Sequence, residues 1–506
     1  MHIMIRTLLS AWLLCVVSLP SGAAARDFFL TIGGGHSRES NQASLEKNVL
    51  FYQQVLKEQN IPAAQQSVYF ASGIPGSNDV QAVDAASLPK ANRLMAEFFG
   101  TERDLGMHYR TSEVPDVRGA TTRENIQNWF IGVGKSLKAG DRLILYVTAH
   151  GEKSEDRKNP YETSIMLWND EKLTVSEFVA LLDSLPEGVS VVAVMVQCYT
   201  GGFARFIYDK ADPENGLAKQ NRCGFFATVH DRVAAGCTPD VDETTYVEYS
   251  TYFWEAQAGH TRAGKPIVAP DYDGDGTVSF AEAHAYTVLN ADTIDLPLTT
   301  SSEFLSVESK FQDDEHPKLL PKDAPYDTIH ELATPAERAV LDGLSKQLDL
   351  AGNNRIAAAQ RESRPTRRGR SRGGEPSARR RAARLRDTIA DDLKDRWPEL
   401  ANVLNPGAVE LVTTRSKEFV EAVEAHPKYK EYREQKDLAA REVDPQKRRA
   451  KFERFSRTAQ DVIRRENLKR QDDQKLLAQY QAIVAAEASS LHSGGSSVNK
   501  SSAGPR

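Results

Sequence analysis

Val191-Val192-Ala193-Val194-Met195-Val196-Gln197-Cys198-Tyr199-Thr200-Gly201-Gly202 is the stretch that decides how this chain folds. An unbroken apolar run with no alternation reads as a strand buried on both faces, the habit of a parallel sheet covered by helices on each side. The run stops at a thiol that is soon followed by two glycines. A thiol inside a strand packs like a small hydrophobe. One at a strand's C-terminal end, beside glycines that let a substrate backbone approach, is placed for attack.

A second edge of the same kind lies upstream. Leu143-Ile144-Leu145-Tyr146-Val147-Thr148-Ala149 ends in His150-Gly151, and His150 precedes Cys198 by 48 residues. A Cys–His pair supplies a nucleophile and a general acid/base, the minimum for acyl transfer. Either residue alone is commonly structural. The two together, each at the end of an apolar strand and closely followed by glycine, point to catalysis.

Strands and helices alternate outward from these edges. Phe28-Phe29-Leu30-Thr31-Ile32 reads as a first strand ending in Gly33-Gly34-Gly35. That triplet lacks the spacing of a nucleotide-binding loop and reads as a turn that opens room near the site. A helix follows through Leu45, Val49, Tyr52 and Leu56, then a strand over Val68-Tyr69-Phe70-Ala71. Residues 72–120 read as loop-rich, with a short helix around Leu94 to Phe99. Capping boxes at Thr121-Thr122-Arg123-Glu124 and Thr174-Val175-Ser176-Glu177 open two amphipathic helices, one before each of the edges described above. The expected fold is α/β, an α/β/α sandwich on a mainly parallel sheet, with functional groups at the strands' C-terminal ends.

Asp271-Tyr272-Asp273-Gly274-Asp275-Gly276-Thr277-Val278-Ser279-Phe280-Ala281-Glu282 has the ligand pattern of a twelve-residue EF-hand loop. Asp271, Asp273, Asp275, Ser279 and Glu282 occupy ligand positions, Thr277 offers its carbonyl, and Gly276 makes the sharp turn. Carboxylates this close repel unless a cation neutralises them, so Ca²⁺ is the expected cofactor. Pro266 and Pro270 disfavour an incoming helix, so a lone loop and helix holding structural calcium is expected.

The stretch from Phe28 to about Leu289 resembles the caspase–legumain class of cysteine peptidases, and looks closest to its legumain-like and bacterial caspase-like members. Ala149-His150-Gly151, Gln197-Cys198-Tyr199-Thr200-Gly201-Gly202 and the strands that bear them carry the resemblance. It implies a caspase-like sandwich, a His150–Cys198 dyad, peptide-bond hydrolysis, and an oxyanion hole from the backbone N–H groups of Gly151 and Cys198. It also implies Arg38 and Gln197 as candidate substrate-binding residues. One departure stands out. Relatives carry an acidic residue or glutamine two places before the nucleophile, and this chain has Val196, which argues against cleavage after Arg or Lys.

The 506 residues suffice for two or three domains, and a formal net charge of −6 gives no global nucleic-acid or membrane signal. Arg6, the apolar run Leu8 to Val17 and Ala23-Ala24-Ala25 read as a signal peptide cut after Ala25, hence a secreted or periplasmic protein. No later segment has the apolar length of a membrane span. Three cysteines follow the leader. The simplest allocation pairs Cys223 with Cys237 and leaves Cys198 free, the alternative being two buried thiols.

Beyond about Thr334 the sequence turns charged and helical. Phe452, Phe455, Ala459 and Ile463 suggest a small bundle or partner-binding appendage. The expected division is a signal peptide over 1–25, a peptidase-type domain over 26–333 with its calcium loop at 271–282, a helix and basic flexible linker over 334–386, a helical region over 387–490 and a disordered tail over 491–506. The linker's arginines lack interleaved aromatics, so nucleic acid is not an expected partner. Three readings of function follow. The first is an exported, calcium-stabilised cysteine endopeptidase acting on peptides or proteins. The second is a non-catalytic assembly protein on the same scaffold, working through its C-terminal helices. The third is a transpeptidase using the same dyad. For the peptidase, proteolytic nicking of the linker is expected to leave a folded, active fragment from about Arg26 to Asn354.

Overall fold

The computed structural model describes residues 25–364 and 377–491. The expected leader up to residue 24, the centre of the basic linker and the tail beyond residue 491 lie outside the described residues.

The first half of the chain alternates strands and helices. In order these are β1 (Asp27–Gly34), α1 (Ala43–Glu58), β2 (Gln66–Phe70), β3 (Val80–Val83), α2 (Lys90–Phe99), β4 (Met107–Arg110), β5 (Val117–Gly119) and α3 (Arg123–Trp129). There follow β6 (Arg142–Glu152), β7 (Ser164–Leu167), β8 (Glu171–Thr174), α4 (Val175–Asp183), β9 (Ser190–Met195) and β10 (Arg222–Phe226). Next come α5 (Tyr249–Ala258), α6 (Phe280–Asn290), β11 (Leu298–Thr299), α7 (Thr300–Glu308), α8 (Tyr326–Leu332), α9 (Pro335–Leu348) and α10 (Arg355–Glu362). The remainder is helical: α11 (Ala378–Arg396), α12 (Pro406–Val412), α13 (Ser416–Glu424), α14 (Tyr429–Arg441), α15 (Pro445–Arg470) and α16 (Gln474–Glu487).

The main sheet has the order β11-β10-β9-β6-β1-β2-β5, with β7 and β8 branching from the end of β6. Its pairs from β10 to β5 are parallel, and β11, β7 and β8 are antiparallel additions. The two apolar runs occupy neighbouring central strands, in a register that pairs Leu143 with Val191 and Val147 with Met195. Successive residues on a strand face opposite sides, and here both sides are dry. Leu143, Leu145, Val147, Val191, Ala193 and Met195 join the cluster under α3 and α4. Ile144, Tyr146, Val192 and Val194 join the cluster under α1, α5 and α6. Full burial contributes about 1.5–3 kcal/mol for each larger aliphatic side chain, which is why these runs show no polar alternation. The expected α/β architecture with a mainly parallel sheet and a helical C-terminal region is what the chain adopts.

Details differ from the expectations. Residues 72–120 contain three short strands besides α2. The cap of α3 is Thr122, whose side chain accepts from the N–H of Asn125, while Thr121 is buried with its N–H on the Ala71 carbonyl. The Thr174–Glu177 capping box forms as expected.

The expected boundary between an amino-terminal domain and a helical appendage is crossed by packing. Helices α11 to α14 close a cluster with Leu94, Met95 and Phe98 of α2. Phe452, Phe455, Ala459 and Ile463 of α15 are buried with Leu341 and Leu344 of α9 and Ile356 of α10. Tyr480 and Ile483 of α16 enter the sheet's own core beside Phe304 and Leu305 of α7. Among the described residues no helix is long and apolar enough to cross a membrane.

Candidate active site

The register that aligns β6 with β9 also aligns their ends. Val147 pairs with Met195, and the N–H of Val196 continues the ladder to the Val147 carbonyl at 3.0 Å. His150 and Cys198 each lie three residues beyond that pair. Gly151 packs against the loop that bears Cys198: a Cβ placed there would lie 2.1 Å from the Cys198 carbonyl oxygen and 2.8 Å from Cγ of Gln197. Only glycine allows the two strand ends to come this close.

The chain turns sharply after Cys198. Tyr199 is left-handed at φ 60°, and its N–H is held by the Arg232 carbonyl at 2.8 Å. The Thr200 hydroxyl bridges to Thr228 at the end of β10 at 2.9 Å. Gly201 and Gly202 open no space for a substrate, contrary to expectation. Added Cβ atoms would strike the backbone of Val229 and His230 and that of Tyr161, so both glycines seat the turn on the protein's own loops. Gly35 does the same beside Asn41 and Ser40.

His150 is half-buried. Its Nε2 lies 2.8 Å from the Ser40 carbonyl and 2.9 Å from Oε1 of Gln42. Both partners are acceptors, so Nε2 carries the hydrogen and Nδ1 is left free to exchange a proton. Burial holds His150 below the ordinary imidazole value and the facing His36 adds to this, against the Ser40 carbonyl. The His36 ring stands edge-on to His150, centroids 5.6 Å apart, and its Nδ1 meets Oδ1 of Asp170 at 2.5 Å. None of Ser40, Gln42, His36 and Asp170 announces itself in the sequence, because each arrives from a loop after another strand.

Cys198 is half-buried too, and its Sγ accepts from the Ala234 N–H at 3.3 Å. Burial raises its thiol and the buried Asp295 adds to this, while the Ala234 contact opposes it. The two shifts favour an uncharged thiol at one strand end and an uncharged imidazole at the next. Asp295 itself is about 1% exposed, takes the Ala235 N–H at 2.6 Å, and is pushed up to about 6 by burial.

Gln197 is buried, with neither amide atom partnered among the described residues, so it lines no open surface. Arg38 is exposed on the loop after β1, 3.9 Å over the Tyr109 ring and bonded to the Asn78 carbonyl. The expected Cys223–Cys237 disulfide does not form, and all three described thiols are free. Cys223 sits beside Val192 in the sheet core, whereas Cys237 lies in the loop near Cys198. Val192 and Cys198 are six residues apart along extended chain, roughly 20 Å, and a disulfide needs Cα atoms within about 7 Å.

The acidic loop lies at the head of α6. Carboxylate oxygens of Asp271, Asp273 and Asp275 all fall within 4.8 Å of one another. Asp271 takes the N–H groups of Gly274 and Gly276 at 2.8 and 2.9 Å, which winds the loop around it. Ser279 caps α6. Glu282 closes the loop from behind, one oxygen on the N–H groups of Tyr272 and Asp273 and the other on Ser279. Thr277 bonds through its N–H to Asp275. Helix α5 stops at Ala258, so the loop has no incoming helix. Three carboxylates this close suit a hard cation with oxygen ligands.

No family model matches this sequence, and no curated protein matches it. Among solved structures the chain is similar to protein GSU0716 from Geobacter sulfurreducens, at 12% identity over 52% of this chain and 88% of that one, with a TM-score of 0.29.

Proposed function

We propose that this chain is an exported cysteine endopeptidase of the caspase–legumain class, working through Cys198 and His150 and stabilised by calcium. The observation that carries the reading is the pairing of strand ends. A half-buried thiol and an imidazole with one free nitrogen stand at the same level of adjacent parallel strands, joined where Gly151 meets the Cys198 carbonyl.

Cys198 Sγ attacks the scissile carbonyl carbon as Nδ1 of His150 takes the thiol proton. The C–S bond forms while the carbonyl electron pair moves to oxygen, where the N–H groups of Gly151 and Cys198 stabilise it. Collapse breaks the C–N bond, and His150 returns the proton to the departing amine. Water, deprotonated by His150, then releases the acyl group. An uncharged resting pair makes proton transfer part of the attack, so His150 acts as a general base. Asp271, Asp273, Asp275, Thr277, Ser279 and Glu282 are the groups offered to Ca²⁺, which supplies charge neutralisation at the head of α6 and takes no part in the chemistry.

The test is a peptide library with products read by mass spectrometry, alongside thiol-directed labelling. Cys198→Ala and His150→Ala should each abolish cleavage, and Cys198→Ala should also abolish labelling at the site. Substantial turnover by Cys198→Ala would refute the reading. The same products separate hydrolysis from acyl transfer to an amine.

A further inference from the structure

Beside the His150–Cys198 dyad stands a histidine–carboxylate pair that the proposed mechanism does not use. His36 follows β1, where Gly34 pairs with Ala149, so the strand register brings the loop after β1 to the end of β6, where the two rings meet. Asp170, in the turn before β8, meets Nδ1 of His36 at 2.5 Å, and the Asp170 N–H returns to the His36 carbonyl at 3.3 Å. A carboxylate only accepts, so Nδ1 carries the hydrogen. The His36 N–H donates to the Ser40 hydroxyl at 3.0 Å, and the carbonyl of that same Ser40 holds Nε2 of His150. Asp170, His36, Ser40 and His150 are thus one connected unit, closed by the edge-on contact of the two rings at 5.6 Å.

We propose that His36, anchored by Asp170, is a positioning residue for His150, serving as the wall that fixes the imidazole with Nε2 on the Ser40 carbonyl and Nδ1 free. This rests on the reading of His150 as the general base. Its position has an electrostatic consequence. Charge on His36 opposes a second proton on His150, and a base must shed that proton to work. The other titratable groups around His150 are few. Cys198 comes from the end of β9, and Asp170 acts through His36. Arg38 and Glu39 on the same loop are exposed, and Glu152 at the end of β6 is paired with Lys172 of β8 at 2.6 Å.

Histidine NMR on the full chain in a Cys198→Ala background reads the coupling without turnover. His36→Gln should raise the His150 pKa, because the neighbour whose charge opposes its second proton is gone. His36→Lys should leave it at or below the starting value. In the active chain the acid limb of kcat/KM should move in the same directions. A packed ring with no electrostatic role would not give shifts that follow the sign of the charge. A His150 titration and an Nε2–H tautomer that are the same in all three proteins would overturn the proposal, even if every one cleaved peptide. A shifted His150 in a chain that cleaves nothing would instead refute the peptidase reading and leave the coupling standing.

Discussion

Glu453 of α15 grips the Arg232 guanidinium with both carboxylate oxygens, at 2.8 and 3.1 Å. The carbonyl of that same Arg232 receives the N–H of Tyr199, the residue after Cys198. The next residue on the helix, Arg454, is buried and donates five hydrogen bonds to carbonyl and hydroxyl oxygens of Val288, Ala291, Thr293 and Asp295. The Asp295 side chain in turn holds Ala235, next to the residue whose N–H reaches Cys198 Sγ. Two consecutive residues of a C-terminal helix therefore support the loop that bears Cys198 through separate contacts.

A fragment ending at Asn354 should consequently be neither cooperatively folded nor active. It would lose Arg454 and expose the faces of α7 and α9 that α15 and α16 cover. Circular dichroism melting and a cleavage assay on that fragment provide the check, and a soluble, active fragment with a sharp transition would disprove the coupling. In the full chain, Glu453→Ala should lower kcat roughly tenfold, the effect of about 1.4 kcal/mol of lost loop order.

The placement of His150 and Cys198 at neighbouring strand ends was legible because strand ends are written locally. An unbroken apolar run, its last residue and a following glycine all sit within a dozen positions. The partners of these two residues are not local. Ser40 and Gln42 reach His150 only because β1 lies beside β6, and Ala234 reaches Cys198 only because β10 lies beside β9. Their side chains carry no pattern, since Ser40 and Ala234 act through backbone atoms. The disulfide assignment failed for the same reason: counting cysteines gives parity but no distance. Glu453 and Arg454 read as ordinary charged helix residues until the buried socket for Arg454 is seen.

Gly151→Ala should inactivate the protein. The added methyl would occupy the place of the Cys198 carbonyl, and the backbone of one strand must then retreat. Forced overpacking of this kind costs about 1–3 kcal/mol. The thermal transition should fall by a few degrees while cleavage drops by two orders of magnitude or more, since roughly an ångström of misplacement costs about a hundredfold. Near-normal kcat in a folded Gly151→Ala chain would show that the two strand ends do not act together.

Calcium removal should destabilise the chain. The clustered carboxylates of Asp271, Asp273 and Asp275 repel one another without a cation, and an ion bound only by the folded state stabilises it by mass action. Chelator should lower the melting temperature, and Asp273→Ala should lower it in the presence of calcium while erasing the chelator effect. Equal melting curves with and without chelator would reduce the loop to an acidic turn.

Acid should weaken the fold through His284. Its Nδ1 lies 2.7 Å from the Tyr249 hydroxyl, which burial holds far above its ordinary value and so keeps as the donor. Nδ1 must then accept, and the ring is neutral. Burial pushes His284 down from 6.5 to about 3. The unfolded chain therefore takes up a proton near pH 6.5 that the folded chain refuses until far lower. The stability this group contributes is fully present above about pH 6.5 and is lost progressively as pH falls toward 3. His284→Gln can accept from Tyr249 without titrating. It should lower stability at neutral pH yet flatten the loss between pH 6.5 and 4. Denaturant unfolding across that interval measures both slopes, and parallel slopes for the two proteins would show that His284 is not a source of the acid sensitivity.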